Sequence, residues 1–239
     1  LGNALGGASH FDVGGDAVGG ALVYARGPVW EPHHSMLVAD RAGQTTPMLA
    51  EPRAYIAPAI SPDGSRLAVQ VQGASDHLYL FDLGRGSSTR LTFHGDNGVP
   101  VWSPNGTRLA FRSNMTGKYE IYWVAADGAG APELLFTPPA TGPSAGSPSP
   151  CCFTPDGRSL IFTLTRPQGG AEIWMVAVGD PPPHATARPL VQSPRNAWGA
   201  SVSLDGRYIA FSCDELGREE VYIQQLAAPG AASAPTQAA

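Results

Sequence analysis

Apolar residues along this chain fall in short runs that are separated by clusters of Gly, Pro, Asn and Asp. The clearest series lies at 99–137, where four such runs follow one another. Short runs rich in β-branched and aromatic side chains are typical of β-strands, and the residues between them supply the backbone angles that turns require. The pattern therefore predicts four consecutive strands joined by tight turns.

The turn that opens this series occurs four times in the chain. The four turns are Ser61-Pro62-Asp63-Gly64, Ser103-Pro104-Asn105-Gly106, Thr154-Pro155-Asp156-Gly157 and Ser203-Leu204-Asp205-Gly206. Their third residues are 42, 51 and 49 positions apart, which is close to the period of propeller blades. Proline suits the second position of such a turn, and the closing glycine is expected to adopt a positive φ.

A repeat of four strands cannot bury both faces of its own small sheet, so neighbouring repeats must stack around an axis. We therefore predict an all-β fold, with one β-propeller domain of four-stranded antiparallel blades over 1–239. The five recognisable repeats lie at about 8–50, 55–92, 99–137, 150–191 and 199–226, and a tail follows at 227–239. The large residues predicted to pack between blades are Trp102, Phe111, Ile121, Trp123, Phe153, Phe162, Ile173 and Phe211.

The composition argues against a nucleic-acid surface and against a membrane-spanning helix. The formal net charge is −5 and only 15% of residues are charged, so no clustered excess of Lys and Arg marks a nucleic-acid surface. No apolar run approaches the roughly 20 residues that a membrane-spanning helix needs, and the first residues lack a signal-peptide pattern. The three cysteines, Cys151, Cys152 and Cys213, are interpreted as small buried apolar residues and favour a reducing compartment.

A resemblance to known propellers centres on the third repeat. Pro100-Val101-Trp102-Ser103-Pro104-Asn105-Gly106, with the later Glu120-Ile121-Tyr122, resembles the WD-like repeat of the Tol-system propeller and of the prolyl oligopeptidase gate. The order of segments, with Met36-Leu37-Val38-Ala39-Asp40 and Leu91-Thr92-Phe93, is similar to the propeller that follows the kinase domain of bacterial serine/threonine protein kinases. The resemblance covers nearly the whole chain and implies a sensor or interaction module. Such propellers usually close with six blades, so the five repeats imply a six-bladed ancestor.

Five of the six histidines fall in loops that this topology places on one face of the propeller. Imidazole and carboxylate groups are the ligands that zinc and similar divalent metals prefer, and acidic residues share this face. The candidate metal ligands are His10, His34 and His94, because His10 and His94 precede inner strands and so approach the axis. The alternative is that polar residues simply populate loops.

A metal with an open coordination position could lower the pKa of bound water to about 7 and supply hydroxide for hydrolysis of an ester, lactone or phosphotriester. Tyr55 and Trp198 lie in connections on the same face and could line an aromatic substrate pocket. Ordinary packing between blades is the alternative explanation for both aromatic residues.

Two hypotheses about function therefore stay open. The first is a ligand-sensing or protein-interaction propeller with a protein or small-molecule ligand, and the second is a metal-dependent hydrolase. The catalytic signatures of a kinase are absent from the sequence, which excludes kinase activity for this segment. A stand-alone chain would be cytoplasmic, whereas a segment of a membrane kinase would be periplasmic.

The blade count also bears on assembly. A missing blade would expose apolar faces of the first and fifth blades, and large apolar patches seldom stay bare on a soluble monomer. We therefore predict a homo-oligomer, most simply a two-fold dimer. The rival arrangement is a ring tightened to five blades, in which the tail from Ala227 or the N-terminal residues supply the missing outer strand.

Overall fold

Strands dominate the computed structural model, which describes residues 11–14, 21–26, 35–49, 52–142, 145–179, 187–191, 193, 195–226 and 236–237. The strands of these residues form five antiparallel sheets of four strands each, and each sheet follows chain order. The predicted all-β propeller with five four-stranded blades is therefore confirmed. Within the described part of the chain, no helix is long and apolar enough to cross a membrane.

The blades are numbered in chain order. Blade one holds β1 (Phe11–Gly14), β2 (Ala21–Arg26), β3 (Ser35–Ala39) and β4 (Thr45–Pro47). Blade two holds β5 (Tyr55–Ile60), β6 (Arg66–Val71), β7 (His77–Asp82) and β8 (Ser87–Arg90). Blade three holds β9 (Asn97–Trp102), β10 (Arg108–Ser113), β11 (Glu120–Ala125) and β12 (Glu133–Phe136). Blade four holds β13 (Ser147–Phe153), β14 (Ser159–Thr165), β15 (Ala171–Ala177) and β16 (Arg188–Val191). Blade five holds β17 (Ala197–Val202), β18 (Tyr208–Cys213), β19 (Glu220–Gln225) and β20 (Thr236–Gln237).

The predicted tail supplies the fourth strand of blade five. Thr236 and Gln237 pair with Ile223 and Tyr222 of β19. This strand is only two residues long, and the sequence around it lacks the apolar run that marks the other strands. The arrangement matches the rival expectation that the tail completes the last blade.

The four repeated turns have the predicted geometry. Gly64, Gly106, Gly157 and Gly206 have φ values of 72°, 68°, 69° and 71°. Each turn is also fastened by its own side chains, because the Ser or Thr hydroxyl at the first position donates to the Asp or Asn at the third. A hydrogen bond from Ser61 is the main reason that the pKa of Asp63 is lowered to about 2.

The core lies between blades rather than within one sheet. The inner strands of successive blades contact one another, from β1 with β5 through to β13 with β17. We call the side of a blade that faces the following blade its forward face, and the other side its rear face. The forward face of blade two contributes Ala68, Leu78 and Leu80 to a buried cluster whose partners on blade three include Trp102 and Phe111.

The predicted core residues are buried with one exception. Trp102 is 8% exposed, and Phe111, Ile121, Phe162 and Ile173 are 0% exposed. Trp123 packs against the buried cluster between blades three and four, as predicted, but it is only half-buried. Its indole Nε1 donates to Glu133 Oε2 at 3.0 Å, and the Arg108 guanidinium lies 4.0 Å from its ring centroid. These polar partners thus hold Trp123 at the edge of the cluster.

The inner strands of three blades contain a residue with positive φ at the same repeat position. Ala57, Val99 and Gly199 have φ values of 49°, 55° and 66°, and the register of each inner strand shifts beside them. A positive φ is costly for a β-branched residue such as Val99. The preceding blade supports two of these bulges, because Gln70 Oε1 accepts from Val99 N and Thr163 Oγ1 accepts from Gly199 N, both at 3.3 Å.

The three cysteines are free thiols in the described structure. Cys213 is buried, and Cys151 and Cys152 are half-buried in the inner strand β13, as the sequence led us to expect. Burial raises the pKa of Cys152 to about 12 and raises the pKa of Cys151 as well. Both thiols therefore stay protonated at neutral pH.

Candidate interaction sites

The loop face that carries the predicted metal ligands also carries a hydrogen-bonded clasp between blades two and three. Asp96 precedes β9, and its Oδ1 accepts from the backbone N–H of Asp76 at 3.2 Å. Asn114 donates to Asp96 Oδ2 at 3.1 Å, while Asn114 Oδ1 accepts from Asp96 N at 2.7 Å. These carboxylate oxygens therefore serve to join loops of neighbouring blades.

A matching clasp joins blades four and five. Asn196 Oδ1 accepts from Ala171 N at 2.9 Å, and Asn196 Nδ2 donates to Asp214 Oδ2 at 2.7 Å. Asn196 and Asp214 occupy the repeat positions of Asp96 and Asn114 with the two side-chain types exchanged. The exchange keeps the hydrogen bond between the Asp and the Asn side chains. The packing of neighbouring blades therefore explains both clasps.

Of the predicted metal ligands, only His94 lies within the described residues, whereas His10 and His34 lie outside them. His94 is exposed in the connection between blades two and three. Its neighbour His77 lies with Nδ1 3.5 Å from Asn97 Nδ2, and burial together with the positive charge of Arg90 lowers the pKa of His77. Among the described residues, no three His, Cys, Asp or Glu side chains are grouped as a metal site. The metal set remains a prediction.

The two aromatic residues of the predicted substrate pocket occupy different environments. Tyr55 is 2% exposed and packs edge-on against Phe81, with the ring centroids 6.2 Å apart, in the cluster between blades one and two. Trp198 lies on the inner strand of blade five and is half-buried. Packing between blades accounts for Tyr55, and a role of either residue in substrate binding remains a prediction.

Blade five presents an apolar forward face that the described blades leave open. In blades two, three and four, Leu78, Ile121 and Ile173 occupy one repeat position of β7, β11 and β15 and are 0% exposed. Val221 holds this position in blade five and is 52% exposed. Ile223 on the same face is 42% exposed.

The rear face of blade one is open in the same sense. Leu67, Leu109, Leu160 and Ile209 share one repeat position on the rear faces of blades two to five and are each 0% exposed. Leu22 holds this position in blade one and is 36% exposed. The two ends of the blade series thus expose residue types that the four internal junctions bury.

A groove of about 530 Å³ opens at the rim between blades three and four. Its walls include Pro104, Arg108, Trp123, Phe153, Asp156, Gly157 and Val178. Arg108 Nη1 lies 3.2 Å from Glu133 Oε2, so this ion pair and the Trp123 ring hold the guanidinium at one wall. Sequence reasoning missed the groove, since the partners of Arg108 come from different strands. The signal that could have indicated it is that Arg66 and Arg108 share one repeat position while their surroundings differ.

Comparison with known proteins agrees with the fold. Residues 31–141 match the TolB beta propeller domain family, PD40. The Tol-Pal system protein TolB of Bordetella pertussis is 35% identical over 163 residues, which are 66% of this chain and 34% of that protein. A protein TolB homolog of Chlorobium chlorochromatii is 33% identical over 112 residues, which are 46% of this chain and 24% of that protein. The chain therefore spans about a third or less of the length of these relatives.

A solved structure extends the likeness to three dimensions. The crystal structure of TolB from Acinetobacter baumannii superposes with a TM-score of 0.72 at 26% identity, over 89% of this chain and 51% of that one. The putative TolB from Agrobacterium tumefaciens has the same fold, with a TM-score of 0.63 at 19% identity over 87% of this chain and 73% of that one. The chain is therefore a β-propeller that is similar in sequence and fold to the propeller of TolB.

Proposed function

We propose that this chain is a protein-interaction propeller and that the forward face of blade five is its contact surface. The observation that carries the proposal is the exposure of Val221, whose counterparts Leu78, Ile121 and Ile173 are buried between blades, with Ile223 exposed beside it on the same face. Each side chain of this size gains roughly 1.5–3 kcal/mol when it is fully buried. A protein surface that covers both residues would recover this free energy.

The likeness to TolB supports a protein partner. The Bordetella pertussis relative bears the name Tol-Pal system protein TolB, which places that protein among the components of a larger system. By analogy, we propose that this chain also works by binding other proteins. Attachment to a kinase and the sensing of a small ligand remain finer proposals, for which the described residues supply no specific site.

A second copy of the chain is the partner that we propose for this face. The internal junctions show that these apolar positions pack well against another sheet of the same repeat. A second copy presents such a sheet with Val221, Ile223 and Tyr208 exposed on it. Two-fold symmetry lets one self-complementary patch serve both copies, which is the commonest closed arrangement.

Sedimentation equilibrium of the purified chain tests this proposal. We expect the average mass to rise above the 24.9 kDa of the single chain as protein concentration increases. The double substitution Val221→Glu and Ile223→Glu should abolish the rise, because it places like charges of both copies in the buried contact. Circular dichroism of the variant confirms that the blades still form.

The matched control is Leu204→Glu. Leu204 is 97% exposed at a turn of the same blade and should not lie in the contact, so this variant should associate as the wild type does. A wild-type mass that stays at the single-chain value at every concentration would contradict the proposed contact with a second copy. Equal association of the double variant would show that another surface is used.

A further inference from the structure

The junction between blades two and three is closed at its rim by one arginine. Arg66 of blade two donates from Nη1 to Ala126 O at 2.6 Å and from Nη2 to Gly106 O at 2.8 Å. Its guanidinium carbon lies 4.9 Å from the centroid of the Trp102 ring. Two backbone carbonyls and one aromatic face of blade three thus form a complete binding site for a guanidinium group.

The next junction repeats the three binding groups. Phe153, Gly157 and Val178 occupy in blade four the repeat positions of Trp102, Gly106 and Ala126 in blade three. The backbone follows the same course, since Val178 N donates to Arg158 O as Ala126 N donates to Thr107 O. Pro104 also lies against Gly157 as Pro62 lies against Gly106.

The arginine of this second junction does not cross it. Arg108 has the repeat position of Arg66, but it pairs with Glu133 and stacks on Trp123 within its own blade. In blade two, Leu80 takes the place of Trp123 and offers no comparable ring. Within the part of the chain that the structure describes, no donor reaches the carbonyl oxygens of Gly157 and Val178, and both residues line the open groove.

We propose that this groove binds an arginine side chain of a partner polypeptide. The two carbonyls suit the fixed fork of a guanidinium group, and the Phe153 ring suits its flat face. Lysine offers a compact charge that cannot reach both carbonyls while it stacks on a ring. Asp156 lines the groove and adds a negative charge that favours a cation there.

The site is separate from the forward face of blade five, so the proposal goes beyond the one made above. The groove lies between blades three and four and shares no residue with that face. An arginine-bearing segment of another protein could therefore bind whether or not blade five is covered. The two proposals succeed or fail by different measurements.

Nuclear magnetic resonance titration of the full chain with acetyl-Gly-Arg-Gly-amide tests the proposal. We expect saturable shifts of the Trp123 indole N–H and of the Gly157 and Val178 amides. The same peptide with citrulline keeps the shape but loses the charge, and it should bind about tenfold more weakly, because hydrogen bonds from a charged donor are the stronger ones. The lysine peptide should be weakened to a similar degree.

A pair of matched variants completes the test. Glu133→Gln removes the carboxylate that holds Arg108, which lets Arg108 cross the groove as Arg66 does and weakens the arginine peptide severalfold. Glu215→Gln removes an exposed carboxylate from blade five and should leave binding unchanged. The proposal is overturned if the citrulline peptide binds as tightly, if the shifts fall outside the groove, or if Glu133→Gln has wild-type affinity.

Discussion

Glu120 shows how a single buried carboxylate fastens a loop to its blade. It is 3% exposed and accepts hydrogen bonds from Thr116, Tyr122 and Thr137. Burial acts to raise the pKa of Glu120, but these three hydrogen bonds outweigh it, so the pKa lies below its ordinary value. The folded protein therefore stabilises the ionised carboxylate.

This ionisation should make the free energy of unfolding depend on pH. Because the folded pKa is lowered, its contribution is fully present above the ordinary value of 4.5 and is lost as pH falls through the folded pKa. We expect Glu120→Gln to lower the free energy of unfolding by about 1–3 kcal/mol at neutral pH. The variant should then lose less than the wild type on acidification. Urea unfolding at neutral pH and well below 4.5 measures both quantities, and equal losses in the two proteins would contradict this account.

The histidine set His10, His34 and His94 makes a separate prediction at this scale. If these residues hold a metal, the purified protein should contain about one equivalent of zinc or a similar ion, and His94→Ala should reduce it. His184→Ala is the control, since the sequence places His184 on the opposite face. Elemental analysis decides the matter. Metal below about a tenth of an equivalent, with no hydrolytic activity lost on chelation, would rule out the hydrolase hypothesis.

At the scale of the strand, the two tryptophans of blade three differ in how deeply they are buried. Trp102 donates from Nε1 to Ala59 O at 2.9 Å and is 8% exposed, whereas Trp123 is half-buried over the groove. We expect Trp102→Ala to cost about 3–5 kcal/mol of unfolding free energy. Trp123→Ala should cost less, because Trp123 is half-buried and loses less packing when it is truncated. Denaturant unfolding of both variants checks the difference, and equal costs would show that the strand faces are assigned wrongly.

Arg66 offers a test of how neighbouring blades are joined. Arg66→Ala should cost about 2–3 kcal/mol, since two partly buried carbonyls lose a charged donor. Methylguanidine at millimolar concentration should restore part of this loss by binding the vacated carbonyls. Arg85→Ala, which removes an exposed arginine of the same blade, is the control: it should cost less, and methylguanidine should stabilise it no more than it stabilises the wild type. Thermal unfolding with and without methylguanidine measures the effect, and an equal response of both variants would contradict it.

Some elements could be predicted from sequence because local chemistry determines them. The turns closed by Gly64 and Gly157 need a positive φ that glycine adopts freely, so four residues suffice to identify each. The bulge at Val99 could not be predicted in this way, because a β-branched residue gives no local reason for a positive φ. Its support from Gln70 comes from the neighbouring blade.

The candidate sites were harder to predict than the fold for the same reason. Trp123 follows the apolar pattern of β11, and only its partners Arg108 and Glu133 explain why it lies at the rim. The β20 strand at Thr236–Gln237 has no apolar run of its own, and it is defined by its pairing with β19. Contacts between distant segments decide each of these features.

At the scale of the whole molecule, the described blades bury four interfaces between them and leave the two end faces uncovered. Val221 at one end and Leu22 at the other are exposed where their counterparts are buried, and Ile223 lies exposed on the same face as Val221. Apolar faces of this kind are typical of protein contact surfaces. The proposed contact surface therefore lies at an end of the blade series, on blade five.

Hydroxyl-radical footprinting at increasing protein concentration tests this central claim most directly, because it reports the exposure of individual side chains. We predict that labelling of Tyr208, Val221 and Ile223 falls as concentration rises and recovers on dilution. Labelling of the exposed Leu204 and Leu216 should stay constant. Labelling of all five residues that is independent of concentration would contradict the claim that blade five is the contact surface between copies.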